Sequence, residues 1–157
     1  IIKTGQSDPT TATVGYLGQV IFTTAGNRWT LLKIDGSIYY WSPDGFPALN
    51  TEYYSHYDAS LGKDVYKQKI STTTPSTSPG TRSVFVATGY SLVDVRGTVI
   101  FSTTSHLRFP ALYVAQNNGL LMGLSKSGDN IQIVIITGVI TGYANLPTLL
   151  TVLYTKP

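Results

Sequence analysis

At 157 residues the chain is long enough for one or two small domains with a real core. It carries 42 % hydrophobic but only 12 % charged residues, about half the roughly 25 % usual in soluble domains, and a net charge of +3. The absence of cysteine excludes disulfides and thiolate metal sites. No apolar run approaches the ~18 residues of a spanning helix, and no basic run exceeds Lys67-Gln-Lys69, which argues against a nucleic-acid footprint.

In chain order, Ile1-Ile-Lys-Thr-Gly5 is neither a signal peptide nor an initiator sequence, so a C-terminal fragment of a longer polypeptide is expected, with any export or assembly signals in the missing part. Helical spacing is nearly absent beyond a candidate turn at Leu49–Tyr54. Tyr16–Phe22 reads as a strand, Ala25–Arg28 as a turn and Trp29–Ile34 as the returning strand. Asp35-Gly36 is a tight turn into Ile38–Trp41, because both residues tolerate positive φ. Ser42-Pro-Asp-Gly45 is a second turn. Residues 50–62 read as aromatic, polar and irregular, and Val65–Ile70 as a strand. The Ser/Thr/Pro-rich Ser71–Gly80 is either an interdomain linker or an extended crossover inside one domain.

Short β-branched and aromatic runs then recur: Ser83–Ala87, Leu92–Val95, Gly97–Phe101, Ala111–Val114, Leu120–Met122, Ile131–Ile136 and Leu149–Tyr154. Turn-forming clusters separate them, the spacing of an all-β sandwich or barrel. Ile133–Ile136 does not alternate, so it is expected to be covered on both faces, by its own fold or by another copy of the chain.

Catalytic constellations are thin. Two histidines, His56 and His106, accompany many serines, but there is no Gly-x-Ser-x-Gly elbow. Glycoside hydrolysis needs two carboxylates roughly 5–9 Å apart. The candidates Asp44, Glu52, Asp58, Asp64, Asp94 and Asp129 include several in evident turns, and no internal repeat accompanies them. No His-x-His pair and no calcium-loop spacing is present, so neither a metal nor another cofactor is expected, and the chain is not read as an enzyme.

Two clusters suit binding. Tyr39-Tyr-Trp41, Phe46, Tyr53-Tyr54, His56-Tyr57 and Asp58 bring rings, hydroxyls and a carboxylate into about twenty residues, a composition that suits sugars. Rings at alternate strand positions also suit a core. Ser105–Arg108, Gln116–Gly119, Asp129-Asn130 and Tyr143–Asn145 are expected on loops between strands, where recognition concentrates. The saccharide-binding candidates are therefore His106, Arg108, Tyr113, Asp129 and Tyr143, with Tyr53, Tyr54 and Asp58 from the aromatic band.

Three segments taken together resemble phage tail-fibre and receptor-binding proteins. Asp8-Pro-Thr-Thr-Ala-Thr-Val-Gly-Tyr-Leu-Gly-Gln19 resembles a Pro-Thr…Val-Gly-x-x-Gly-Gln element that precedes a hairpin in tail adhesins. Gly62-Lys-Asp-Val-Tyr-Lys-Gln-Lys-Ile70 is similar to the strand that opens their C-terminal heads, and Leu149-Leu-Thr-Val-Leu-Tyr-Thr-Lys156 to the strand that closes them. Gln68, where a basic residue is common, and Pro157, with no polar tail after it, depart from that pattern. R-type bacteriocin fibres share the design.

The resemblance implies a homotrimer with an antiparallel β-sandwich or barrel head at residues 63–157, preceded by a hairpin-rich connector at 1–62. It implies non-catalytic attachment at a virion's fibre tip to a bacterial surface saccharide, with other tail or baseplate proteins held through the missing N-terminal region. A structural virion module without a receptor is the alternative reading, and a polysaccharide depolymerase a third.

Overall fold

The computed structural model describes residues 2–77, 80–86, 89–100, 103, 106–109, 111–115, 118–127, 130–137 and 144–157, with side chains for 2–77, 89–100, 103 and 144–157. Among these the protein is all-β: thirteen strands and no helix. It divides into two compact units, Ile1–Gln68 and Lys69–Pro157.

In the first unit β1 (Ile2–Gln6), β2 (Val20–Thr23), β3 (Arg28–Asp35) and β4 (Ile38–Pro43) form a sheet in that order. β1 pairs parallel with β2, and the other pairs are antiparallel. Alternation along β3 sends Trp29 and Leu31 inward, where Ile21 and Trp41 join them in one buried cluster. The same alternation leaves Leu32 exposed, and the pairing with β4 shifts register by a bulge between Leu31 and Lys33. Asp35 faces Ile38, so the hairpin closes over Gly36-Ser37, with Gly36 at φ +57°. The strand expected at Tyr16–Phe22 begins only at Val20, because Gln19 N turns back to the Tyr16 carbonyl (2.9 Å).

The segment before β2 closes over this core. The Trp29 indole N–H donates to Asp8 Oδ1 (3.2 Å) and that of Trp41 to the Thr13 carbonyl (2.9 Å). Gly15 lies so near the cluster that an added Cβ would stand 2.8 Å from Trp41 Cζ2 and 2.7 Å from Gln19 Oε1. Asp8–Gln19 is thus the lid of the first core.

β5 (Glu52–Asp58) and β6 (Lys63–Thr73) form an antiparallel hairpin. Residues expected to be irregular are a strand here. Aromatic side chains favour the pleated backbone, and a bulge between Tyr54 and His56 obscures their alternation in the sequence. β6 runs on past the boundary into the second unit.

There the tail of β6 is followed in one sheet by β13 (Pro147–Thr155), β8 (Ser91–Ile100) and β9 (His106–Phe109). A second sheet has the order β10 (Ala111–Ala115), β11 (Asn118–Ser127), β12 (Asn130–Thr137) and β7 (Gly80–Val86). β13 alternates cleanly: Thr148, Leu150, Val152 and Tyr154 are buried, while Leu149, Thr151 and Leu153 are half-buried on the opposite face. Ile70 and Val99 are buried as well.

Two expected strands, Leu92–Val95 and Gly97–Phe101, are the single strand β8. Gly97 does not break it. It pairs with Leu150, where a Cβ would fall 2.5 Å from the Leu149 carbonyl oxygen, so the position demands glycine. The Ser/Thr-rich stretch begins as an ordered crossover inside the second unit: Thr74 N donates to the Leu146 carbonyl (2.9 Å), and Leu146 N to Thr74 Oγ1 (2.8 Å). β12, which carries Ile133–Ile136, is an interior strand of its sheet. No helix among the described residues is long and apolar enough to cross a membrane.

Candidate functional site

The aromatic band of the first unit turns mostly inward. Tyr53 is half-buried, edge-on to Trp29 with centroids 5.5 Å apart, and its hydroxyl oxygen accepts Ala48 N–H (3.1 Å). Tyr54 is 6 % exposed, wedged against Tyr40 (5.3 Å) and Tyr66 (5.9 Å). Its hydroxyl donates to Asp64 Oδ1 (3.3 Å), while Lys33 Nζ donates to Asp64 Oδ2 (2.5 Å) and lies over the Tyr40 ring. Burial, then the Asp64 carboxylate, pushes the Tyr54 phenol up to about 12. The same carboxylate, through its hydrogen bond, raises the Lys33 ammonium above its ordinary value.

Asp58 serves its own turn. It accepts Ser60 N–H (2.8 Å), Ser60 O–H (2.6 Å) and Leu61 N–H (3.3 Å), and the Ser60 bonds lower its carboxyl below the usual range. Lys67, also in this unit, donates to the Pro43 carbonyl (2.5 Å) beneath the Phe46 ring, and burial lowers its ammonium. Of the band, His56 and Tyr57 face solvent. A sugar stacks only on an accessible ring, so Tyr54 is a core residue and not a contact surface.

The second unit carries a groove of about 440 Å³ on the face of β13 opposite its core, within the ~300–1,000 Å³ of small-ligand sites. Lys69 on β6, Arg96, Thr98 and Ile100 on β8, and Leu149 and Thr151 on β13 line it, with Gly97 between. The register explains the assembly. Thr151 faces Arg96 and Leu149 faces Thr98, and alternate residues of β8 project to the same side. Arg96 Nε donates to Asp94 Oδ2 (2.9 Å), with the guanidinium side chain 82 % exposed.

His106 and Arg108, expected on a loop, stand on β9 at the register positions opposite Ile100 and Thr98. Four residues of extended chain suffice for this strand once β8 offers an edge, which is why a Ser-His-Leu-Arg run read as a loop. Tyr113 is on β10 in the other sheet, facing Leu120 in register. Asp129 and Tyr143 lie outside the described residues.

The groove residues Lys69, Arg96, Thr98 and Thr151 were not singled out by the sequence reasoning. The signal was nevertheless there: Asp94, Arg96 and Thr98 are polar at every second position of an otherwise apolar strand. Among the described residues no three His, Cys, Asp or Glu side chains gather as metal ligands. No family model, curated protein or solved structure matches this chain.

Proposed function

We propose that this chain is the receptor-binding region of a trimeric fibre of the phage tail kind, attaching a particle to a bacterial surface saccharide without cleaving it. The observation that carries the reading is the groove on the open face of β8 and β13. Its hydroxyls, cations and aliphatic flanks offer what a saccharide presents in complement: hydroxyls, anionic substituents and apolar C–H faces. His106 and Arg108 stand beside it in register.

The acidic side chains support attachment over hydrolysis. Asp44 pairs with Arg28 (2.6 Å), Asp64 with Lys33, Asp94 with Arg96, and Asp58 holds its turn. A glycosidase instead keeps an acid and a second carboxylate together over the scissile bond. In this reading the second unit is the head, its two sheets packed as an antiparallel sandwich, and the first is the connector toward other tail proteins. Exposed Ile2, Val14 and Leu17 supply apolar surface that suits packing between copies. Three weak sites on one fibre gain about 10²–10⁴ in avidity when the geometry lets them engage together.

Light scattering should give three times the 17.0 kDa chain mass; a monomer at high concentration overturns the trimer. Fluorescent protein on printed bacterial polysaccharides should bind without releasing reducing ends, and release of reducing ends overturns the non-catalytic reading.

A further inference from the structure

We propose that the groove reads a vicinal diol, two hydroxyls on adjacent sugar carbons, through the Asp94–Arg96 pair at its rim. The inference rests on the attachment reading and specifies which part of the saccharide is held.

Asp94, Arg96 and Thr98 follow one another at every second position of β8, so they share the face opposite buried Val99. The register sets Leu153 across from Asp94, Thr151 across from Arg96 and Leu149 across from Thr98. Directly opposed residues stand about 4.5–5.5 Å apart, which brings the Thr151 hydroxyl within reach of a group held by Arg96. Arg96 and Thr151 both line the groove, and Arg96 Nε donates to Asp94 Oδ2 at 2.9 Å. That bond ties the carboxylate to the groove's rim.

The pair sets an acceptor beside a donor. A carboxylate has lone pairs, and a guanidinium N–H groups, beyond those that this one contact occupies. A sugar hydroxyl both donates and accepts. Two of them on adjacent carbons answer the pair in kind: one donates to Asp94, its neighbour accepts from Arg96, and each bond involves an ion. Asp94 also steadies an arginine side chain that is 82 % exposed, so less rotamer freedom is lost when the ligand arrives. Thr98 and Thr151 can bond further hydroxyls, while Leu149 covers an apolar C–H face.

The sign of one substitution separates this recognition from simple attraction of an anion to Arg96. Removing a carboxylate that only neutralises the arginine strengthens the grip on an anion. Removing one that accepts from a sugar hydroxyl weakens binding.

The test is a printed array in three groups: bacterial polysaccharides with vicinal diols, the same polymers after periodate cleavage and borohydride reduction, and glucans linked through O3, whose free hydroxyls are not adjacent. It is probed with the intact chain, Asp94→Ala and Arg96→Ala, each checked for an unchanged melting temperature. Binding confined to untreated diol-bearing spots, and weakened about tenfold by each substitution, supports the proposal. Binding that survives periodate, that is equal on the glucans linked through O3, or that Asp94→Ala leaves unchanged or strengthens overturns it and leaves attachment standing. The periodate comparison needs no variant to fold. Silence on every spot overturns both readings.

Discussion

The two units use their aromatic residues and their polar faces in opposite ways. In the first, rings fill the interior: Trp29, Trp41 and Tyr54 are buried, with Tyr39 and Tyr53 packed against the tryptophan cluster. In the second, the described core is mainly aliphatic, built from Ile70, Val99, Leu150 and Val152 around Tyr154, and the sheet turns a polar groove outward. The aromatic-rich stretch of this chain is therefore mostly core. Rings that carry their own hydrogen-bond partners, as Tyr54 does on Asp64, are spoken for.

The sharpest way to break that contrast is to empty the two cores. Trp41→Ala should destabilise the protein by about 3–5 kcal/mol and Leu150→Ala by about 2–5 kcal/mol in urea denaturation. A loss below about 1 kcal/mol for Trp41→Ala would mean the rings are surface furniture after all. Next in size, Gly97→Ala should cost about 1–3 kcal/mol by forcing β8 off β13. Gly45→Ala, with open space around the new methyl group, should leave the melting temperature nearly unchanged.

The Tyr54–Asp64–Lys33 cluster gives a pH signature belonging to the first unit. Tyr54 and Lys33 both hold their protons more tightly when folded. Their contribution is whole below about pH 10 and is lost as pH rises toward 12, because unfolding releases the proton there. Lys67, lowered by burial, acts in the opposite sense and offsets part of that loss. Tyr54→Phe should cost about 0.5–1.5 kcal/mol and remove one late-ionising phenol from an ultraviolet titration of the 11 tyrosines. Smallest of all, Arg28→Gln should shift stability by less than about 0.5 kcal/mol, since both partners of that ion pair are about half exposed.

The all-β class was legible because most of β13 and the start of β3 alternate, and because Asp35-Gly36 announces its own turn. What escaped was decided by pairing partners far along the chain. β1 has no strand pattern of its own and exists because β2 gives it an edge. β9 likewise depends on β8. Gly97 looked like punctuation because a local reading cannot show that Leu149 and Leu150 crowd it from the other side. The groove was not legible locally: Lys69 and Thr151 come near Arg96 only once β6, β13 and β8 lie side by side, and His106 and Arg108, singled out for their chemistry, stand on the neighbouring strand β9.

That arrangement has a consequence for how the polypeptide is made. β13 is the middle plank between β6 and β8, yet it emerges from the ribosome after both. Until it arrives, the two earlier strands expose unpaired backbone and greasy flanks, a sticky nascent state in which wrong edges can meet. Slowing translation just before Pro147 should therefore lengthen the exposure of these edges to chaperones and raise the share that aggregates, while leaving the finished protein unchanged.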